Sequence, residues 1–166
     1  MFTVNTNRAI KMNRGDDVQF PLFINNGDRL NWNRYEFNLI NNPTEDLEEV
    51  YFYILPLHES YENFILRKTF CANGTIKTYR CIDTEETEIY SQKTVNDNKD
   101  IVIRLWESDT SFICPGEYVY VVRAKVFTDK INSKNIITSG ESLFTTLQVT
   151  NKYPFYLLDD DIIRAD

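Results

Sequence analysis

The chain has 166 residues, 42% hydrophobic and 26% charged, enough apolar material for the core of one ordinary domain. That balance excludes a disordered chain, a collagen-like repeat and a disulfide scaffold. A net charge of −7 opposes an unspecific grip on nucleic-acid phosphates, and no apolar run approaches the length of a membrane span.

The start, Met1-Phe2-Thr3-Val4-Asn5, lacks the basic and apolar regions of a signal peptide. Ala9 to Met12 reads as the end of a first strand, and Asn13-Arg14-Gly15-Asp16 as a turn. Val18, Phe20, Leu22 and Ile24 then alternate with Asp17, Gln19, Pro21 and Phe23, the period of a strand. Pro21 cannot donate to a ladder, which places this strand at an edge or a bulge. Asn25-Asn26-Gly27-Asp28 closes it. Residues 29–46 form an excursion, with a short strand over Trp32, Tyr35, Phe37 and Leu39. A brief helical turn is predicted at Thr44-Glu45-Asp46-Leu47-Glu48. Val50 to Leu55 is an almost unbroken apolar run, a candidate central strand.

Pro56 ends that strand, and His58-Glu59-Ser60 is loop. Asn63 to Phe70 and Thr75 to Cys81 make a hairpin across a two-residue Asn73-Gly74 turn, which would pair Cys71 with Ile76 and Leu66 with Cys81. Residues 83–99 read as an acidic surface loop with a small strand at Glu88 to Tyr90. Ile101, Ile103 and Leu105 alternate as a strand. Glu107-Ser108-Asp109-Thr110 can cap a single helical turn, and Pro115-Gly116 turns the chain. Glu117 to Phe127 is the longest strand, with Tyr118, Tyr120 and Val122 on one side and Val119, Val121 and Arg123 on the other. Ile136-Ile137 and Ser142 to Val149 complete the sheet across Ser139-Gly140. About eight short strands without a long helix predict an all-β fold, an antiparallel β-sandwich of immunoglobulin-like or jelly-roll-like kind over residues 1–150. A closed barrel is the competitor. Aromatics at 14% suit such a fold, because wide side chains pack well on a pleated surface.

Chemistry is harder to find. No G-x-S-x-G, phosphate loop, dinucleotide fingerprint or H-E-x-x-H is present. The single histidine, His58, has no partner at ligand spacing and reads as a loop residue. Cys71, Cys81 and Cys114 are odd in number and lack C-x-x-C spacing, so free thiols are expected. On the predicted hairpin Cys71 and Cys81 lie several registers apart, too far to bridge. No catalytic, cofactor-binding or metal-binding residue is assigned, and the chain is read as non-enzymatic. Arg14-Gly15-Asp16 spells an adhesion tripeptide, but Gly and Asp are what a tight turn wants. Asn73-Gly74-Thr75 is formally a glycosylation acceptor, and the hairpin reading is preferred. Asp159-Asp160-Asp161 reads as solvated charge, since calcium loops space their carboxylates around a glycine.

After Thr150 the alternation stops. Tyr153-Pro154-Phe155-Tyr156-Leu157-Leu158 gathers large apolar side chains around one proline, and Ile162-Ile163 follows the aspartates. Such a segment cannot bury itself alone. It is either a last strand of the same domain or an arm, residues 151–166, that docks on a neighbour through Tyr153, Phe155, Tyr156, Leu157, Leu158, Ile162 and Ile163. The arm is the working expectation, and its acidic end would suit a basic partner.

Four segments, in order, resemble the small β-sandwich at the start of upper baseplate proteins of tailed phages and related short phage structural proteins. They are Ile10-Lys11-Met12-Asn13-Arg14-Gly15-Asp16-Asp17-Val18-Gln19-Phe20-Pro21-Leu22, then Val50-Tyr51-Phe52-Tyr53-Ile54. The third runs from Ile101-Val102-Ile103-Arg104-Leu105 through Ser108-Asp109-Thr110 to Pro115-Gly116-Glu117-Tyr118-Val119-Tyr120. Thr138-Ser139-Gly140-Glu141-Ser142-Leu143-Phe144 is similar to the closing hairpin. In that family a helical linker and a receptor-binding part follow the sandwich, whereas this sequence has a short tail. The resemblance therefore implies a connector or decoration subunit of the virion, made in the host cytoplasm. Its partners would be other virion structural proteins and copies of itself, with no nucleic acid, membrane or cofactor. Two other classes compete: a carbohydrate- or receptor-binding module using Trp32, Tyr35 and Tyr61, and an acidic inhibitor of a basic host protein.

Overall fold

The computed structural model describes residues 3–4, 8–21, 46–71, 74–82, 85–93, 101–127 and 144–159. Period-two alternation sets the architecture. Among the described residues eleven strands follow one another: β1 (Thr3–Val4), β2 (Ile10–Asn13), β3 (Val18–Pro21), β4 (Asp46–Leu55), β5 (Leu66–Cys71), β6 (Thr75–Ile82), β7 (Glu85–Lys93), β8 (Val102–Leu105), β9 (Gly116–Phe127), β10 (Phe144–Gln148) and β11 (Tyr153–Leu158). A 3-10 turn, Tyr61–Asn63, follows β4, and a one-turn helix, α1 (Glu107–Thr110), follows β8. Nine strands form one sheet in the order β1-β2-β11-β9-β4-β5-β6-β7, with β10 also on β9, while β3 and β8 form a second sheet. The chain is all-β and sandwich-like, as the alternation predicts.

The core lies between the two sheets. Alternate residues of β4 (Val50, Phe52, Ile54) and β9 (Tyr120, Val122, Ala124) face Phe20 of β3 and Ile103 and Leu105 of β8 in one buried cluster. Phe52 stacks on Tyr120 at 5.6 Å and meets Phe20 edge-on at 6.1 Å. Burying a side chain of this size contributes roughly 2–3 kcal/mol, so this short stack does much to hold the layers together. The intervening residues Tyr53, Leu55 and Val121, joined by Phe64 from the segment before β5, form a second cluster on the opposite face of the large sheet. The two sides predicted for the longest strand are those seen.

Several expectations hold in place. β4 is central, paired with β5 on one side and β9 on the other. Pro21 ends β3, whose one partner among the described residues is β8, so its missing N–H falls at an edge. The helical turn at Glu107–Thr110 is present. His58 is exposed in a loop with φ 65°, and all three cysteines are free thiols.

Four expectations need correction. Asp46 to Glu48 belong to β4, opposite the end of β9, and not to a helical turn; pairing along a long neighbour overrides acidic helix-start chemistry. The hairpin register is one residue off: Phe70 faces Ile76 and Arg67 faces Tyr79, not Cys71 with Ile76. Gly74, at φ 92°, donates its N–H to the Cys71 carbonyl at 2.9 Å, which makes the loop three residues long. The observed register puts Phe70 and Ile76, both buried, on one face; the predicted one would have split them.

The supposed acidic loop is largely β7, a nine-residue strand at the end of the large sheet. Thr78 lies opposite Tyr90 but Tyr79 opposite Glu88, so Ile89 is an extra residue, a bulge. The bulge turns Glu88 to the outer face and Tyr90 to the inner one. Glu86 and Glu88 are exposed there, and charge plus bulge blunt an edge that would otherwise invite strand pairing.

The separate C-terminal arm is the largest correction. β11 enters the middle of the large sheet, parallel to β2 (Phe155 opposite Ile10, Leu157 opposite Met12) and antiparallel to β9 (Phe155 opposite Tyr118). Pro154 is tolerated because the parallel ladder starts only at Phe155. The readings for Trp32 to Leu39, residues 25–28, 136–137 and 160–163, and Asn73, fall outside the described residues.

Candidate functional site

The residues singled out for partner docking divide. Phe155 and Leu157 are 0% and 1% exposed and belong to the core cluster, so they are not docking residues. Tyr153, Tyr156 and Leu158 are half-buried in the same strand, and Tyr153 packs 5.8 Å from Tyr120. Ile162 and Ile163 lie outside the described residues.

The Arg14-Gly15-Asp16 turn is tied down residue by residue. The Asn13 N–H donates to Asp16 Oδ2 at 3.0 Å, and the Arg14 N–H to the Leu158 carbonyl at 2.8 Å. Gly15, at φ 84°, donates its N–H to Thr110 Oγ1 at 2.9 Å across to α1. Nothing lies within 4 Å of the position a Cβ would take at Gly15, so glycine serves the backbone angle and not space. Thr110 is fully buried. Thr110→Val keeps the shape but leaves the Gly15 N–H unpaired, and a loss of about 1–3 kcal/mol in urea unfolding is expected. An unchanged midpoint would show that the bond contributes nothing.

One residue earlier on α1, Asp109 centres a buried polar network. Lys68 on β5 and Asp109 are both fully buried as side chains, with Lys68 Nζ donating to Asp109 Oδ2 at 2.8 Å. Lys68 also donates to Thr78 Oγ1 at 2.7 Å and to the Tyr90 hydroxyl at 3.1 Å. Tyr90 donates to Asp109 Oδ1 at 2.6 Å, and the Trp106 N–H to Asp109 Oδ2 at 2.7 Å. The Trp106 ring lies 4.2 Å from the ammonium. Burial pushes Lys68 down to about 8, against the pull of Asp109, and burial with the Asp109 bond pushes Tyr90 up to about 12. A lysine with lowered basicity can serve as a nucleophile, but Lys68 has no exposed surface for a substrate to reach. The network joins β5, β6 and β7 to α1.

The outer face of the large sheet carries the other concentration of polar groups. Register places Arg123, Tyr51, Thr69 and Lys77 in one row across β9, β4, β5 and β6, with Val121, Tyr53, Arg67 and Tyr79 in the next. Together with Glu49, and without the buried Val121, these residues outline a depression of about 270 Å³. Arg67 sits 4.1 Å from the Tyr79 ring centroid and is salt-bridged to Glu86. Tyr51 donates to Glu49 Oε2 at 2.5 Å, and burial with that bond raises its hydroxyl pKa well above the ordinary range. Tyr61, one of the suggested sugar-stacking residues, lies at the border of this face, 5.4 Å from Tyr53 and 4.2 Å from the Arg123 guanidinium. Trp32 and Tyr35 lie outside the described residues.

Sequence reasoning singled out none of Thr69, Lys77 and Glu49. The signal was there as polar residues alternating with apolar ones on β4, β5 and β6, but only the register shows that they meet. Among the described residues no three His, Cys, Asp or Glu side chains gather as a metal site, and no helix is long and apolar enough to cross a membrane. Compared with protein-family models, curated proteins and solved structures, the chain has no match.

Proposed function

We propose that the chain is a non-enzymatic structural subunit of a tailed-phage particle, a connector or decoration protein that assembles with other virion proteins and with copies of itself. One observation supports the reading best: segments that resemble the baseplate sandwich bond to one another as scaffold. Gly15 of the first holds Thr110 of the third at 2.9 Å, and Ile54 of the second lies opposite Tyr120 of the third. That the residues carrying the resemblance hold the sandwich together supports a structural role for them. With β11 inside the sheet, assembly falls to the surface and edges of that body, where repetition lets modest contacts suffice.

Purified phage particles encoding this chain supply the test. The expected result is the protein at a fixed copy number in gradient-purified particles, resistant to washing at salt that strips adsorbed proteins. Its absence from particles made by an infection that expresses it would end the structural reading.

A further inference from the structure

The geometry points to a small oxyanion-binding site in the outer-face depression, taking a carboxylate or phosphate group against Thr69, Lys77 and Arg123. The argument starts from an unmet bond. Thr69 is 3% exposed and lines the depression, yet its Oγ1 has no hydrogen-bond partner. A buried hydroxyl without a partner is a cost that native structures rarely keep without a use. The Nε of Arg67, on the same strand and the same face, is also buried without a partner.

Charge gives the sign of the ligand. The chain as a whole carries −7, yet Arg67, Lys77 and Arg123 meet on these strands against the single carboxylate of Glu49. Glu49 is engaged by the Tyr51 hydroxyl at 2.5 Å, and Glu86 offsets Arg67 from the rim. Lys77 next to Thr69, and Arg123 one strand further on across Tyr51, remain as cations in one row, with the Arg123 guanidinium also 4.2 Å from the Tyr61 ring. An oxyanion there would accept from the threonine hydroxyl and from both cations, bonds of the charge-assisted kind. A depression of about 270 Å³ has room for a compact group, either a free ion or the acidic end of a larger molecule. This site is independent of the assembly reading, and either can fail alone.

The test uses the intact chain, with inorganic phosphate and acetate titrated at constant ionic strength against chloride. Amide shifts by NMR and melting temperature are the readouts. Saturable shifts centred on Thr69, Lys77 and Arg123 with either probe support the site, and the probe that saturates at lower concentration tells which acid it prefers. Lys77→Gln and Arg123→Gln should each weaken binding about tenfold, the loss of one charge-assisted bond. Thr69→Val carries a second readout. Without probe it removes an unpaired buried hydroxyl and should raise the melting temperature by about 2–4 °C, while its probe affinity falls. Shifts that grow linearly without saturating, indicating an adventitious ion only, overturn the proposal. So does a Thr69→Val variant that binds as wild type.

Discussion

A chain ending at Thr150 should lose cooperative folding. In urea the full chain is expected to give one sigmoidal transition by near-ultraviolet circular dichroism, and the chain ending at Thr150 none. β11 is not an appendage laid on a finished body. It separates β2 from β9, so its removal opens two strand edges in mid-sheet and takes Phe155 and Leu157 out of the core. Truncating one buried aromatic costs about 3–5 kcal/mol and one buried leucine about 2–5, against a total stability of about 5–15. Phe155→Ala alone should therefore lower the stability of the full chain by about 3–5 kcal/mol, and Tyr156→Ala, half-buried, by less. A chain ending at Asp159 keeps every bond described for β11, including that from the Arg14 N–H to the Leu158 carbonyl, and should fold. If the chain ending at Thr150 unfolds cooperatively near the full chain's midpoint, β11 is a dispensable arm after all.

That strand marks where sequence reading stopped. Alternation exposes β3, β4, β8 and β9 because each has one face in the core and the other outside, and a period of two survives in the residue types. β11 has neighbours on both sides, and its two buried residues, Phe155 and Leu157, come directly after Pro154, a residue that argues against any central strand. Its partner β2 lies more than a hundred residues earlier, and nothing local encodes a parallel pairing over that distance. β7 is hidden for the opposite reason. An edge strand guarded by Glu86 and Glu88 has the composition of a loop, and the bulge at Ile89 breaks the alternation that would reveal it. The hairpin register was within reach, since only the observed pairing sets Phe70 beside Ile76.

The polar sites were less legible than the fold. Asp109 reads as a helix cap, and it is one, through the Trp106 N–H. That the same carboxylate neutralises Lys68 of β5 and accepts from Tyr90 of β7 depends on three segments meeting in space. Likewise Thr69 looks like an ordinary strand threonine until its row is assembled from four strands. The Arg14-Gly15-Asp16 turn is the exception. Its glycine and aspartate announce the turn locally, and the structure uses both for it.

Asp109→Ala should be the most damaging substitution at a polar residue, at about 3–5 kcal/mol, because it leaves the Lys68 ammonium buried and uncompensated. It also removes the acceptor for Tyr90 and for the Trp106 N–H. Lys68→Met in the same background should recover much of that loss, since no buried charge then remains. The variant pair Lys68→Met and Asp109→Asn keeps an acceptor for Trp106 and gives a folded comparison if Asp109→Ala fails to fold. Equilibrium unfolding of the singles and the double closes the cycle. Additive losses would mean that the two residues do not act as a unit. The same pair predicts a pH dependence of definite sign. Lys68 holds its proton more weakly in the folded chain, near 8, than its ordinary 10.5 when unfolded. Between those values the unfolded chain binds more protons, so this residue makes stability rise with pH. Tyr90, pushed up to about 12, acts oppositely above pH 10, where the unfolded tyrosine ionises and the folded one does not. The clean measurement is the stability of wild type relative to Lys68→Met between pH 7.5 and 9.5, a range below the tyrosine effect. It should shift toward wild type as pH rises, by up to about 1.4 kcal/mol per unit. A flat difference would show that Lys68 titrates alike in both states and that its burial is fully compensated by Asp109.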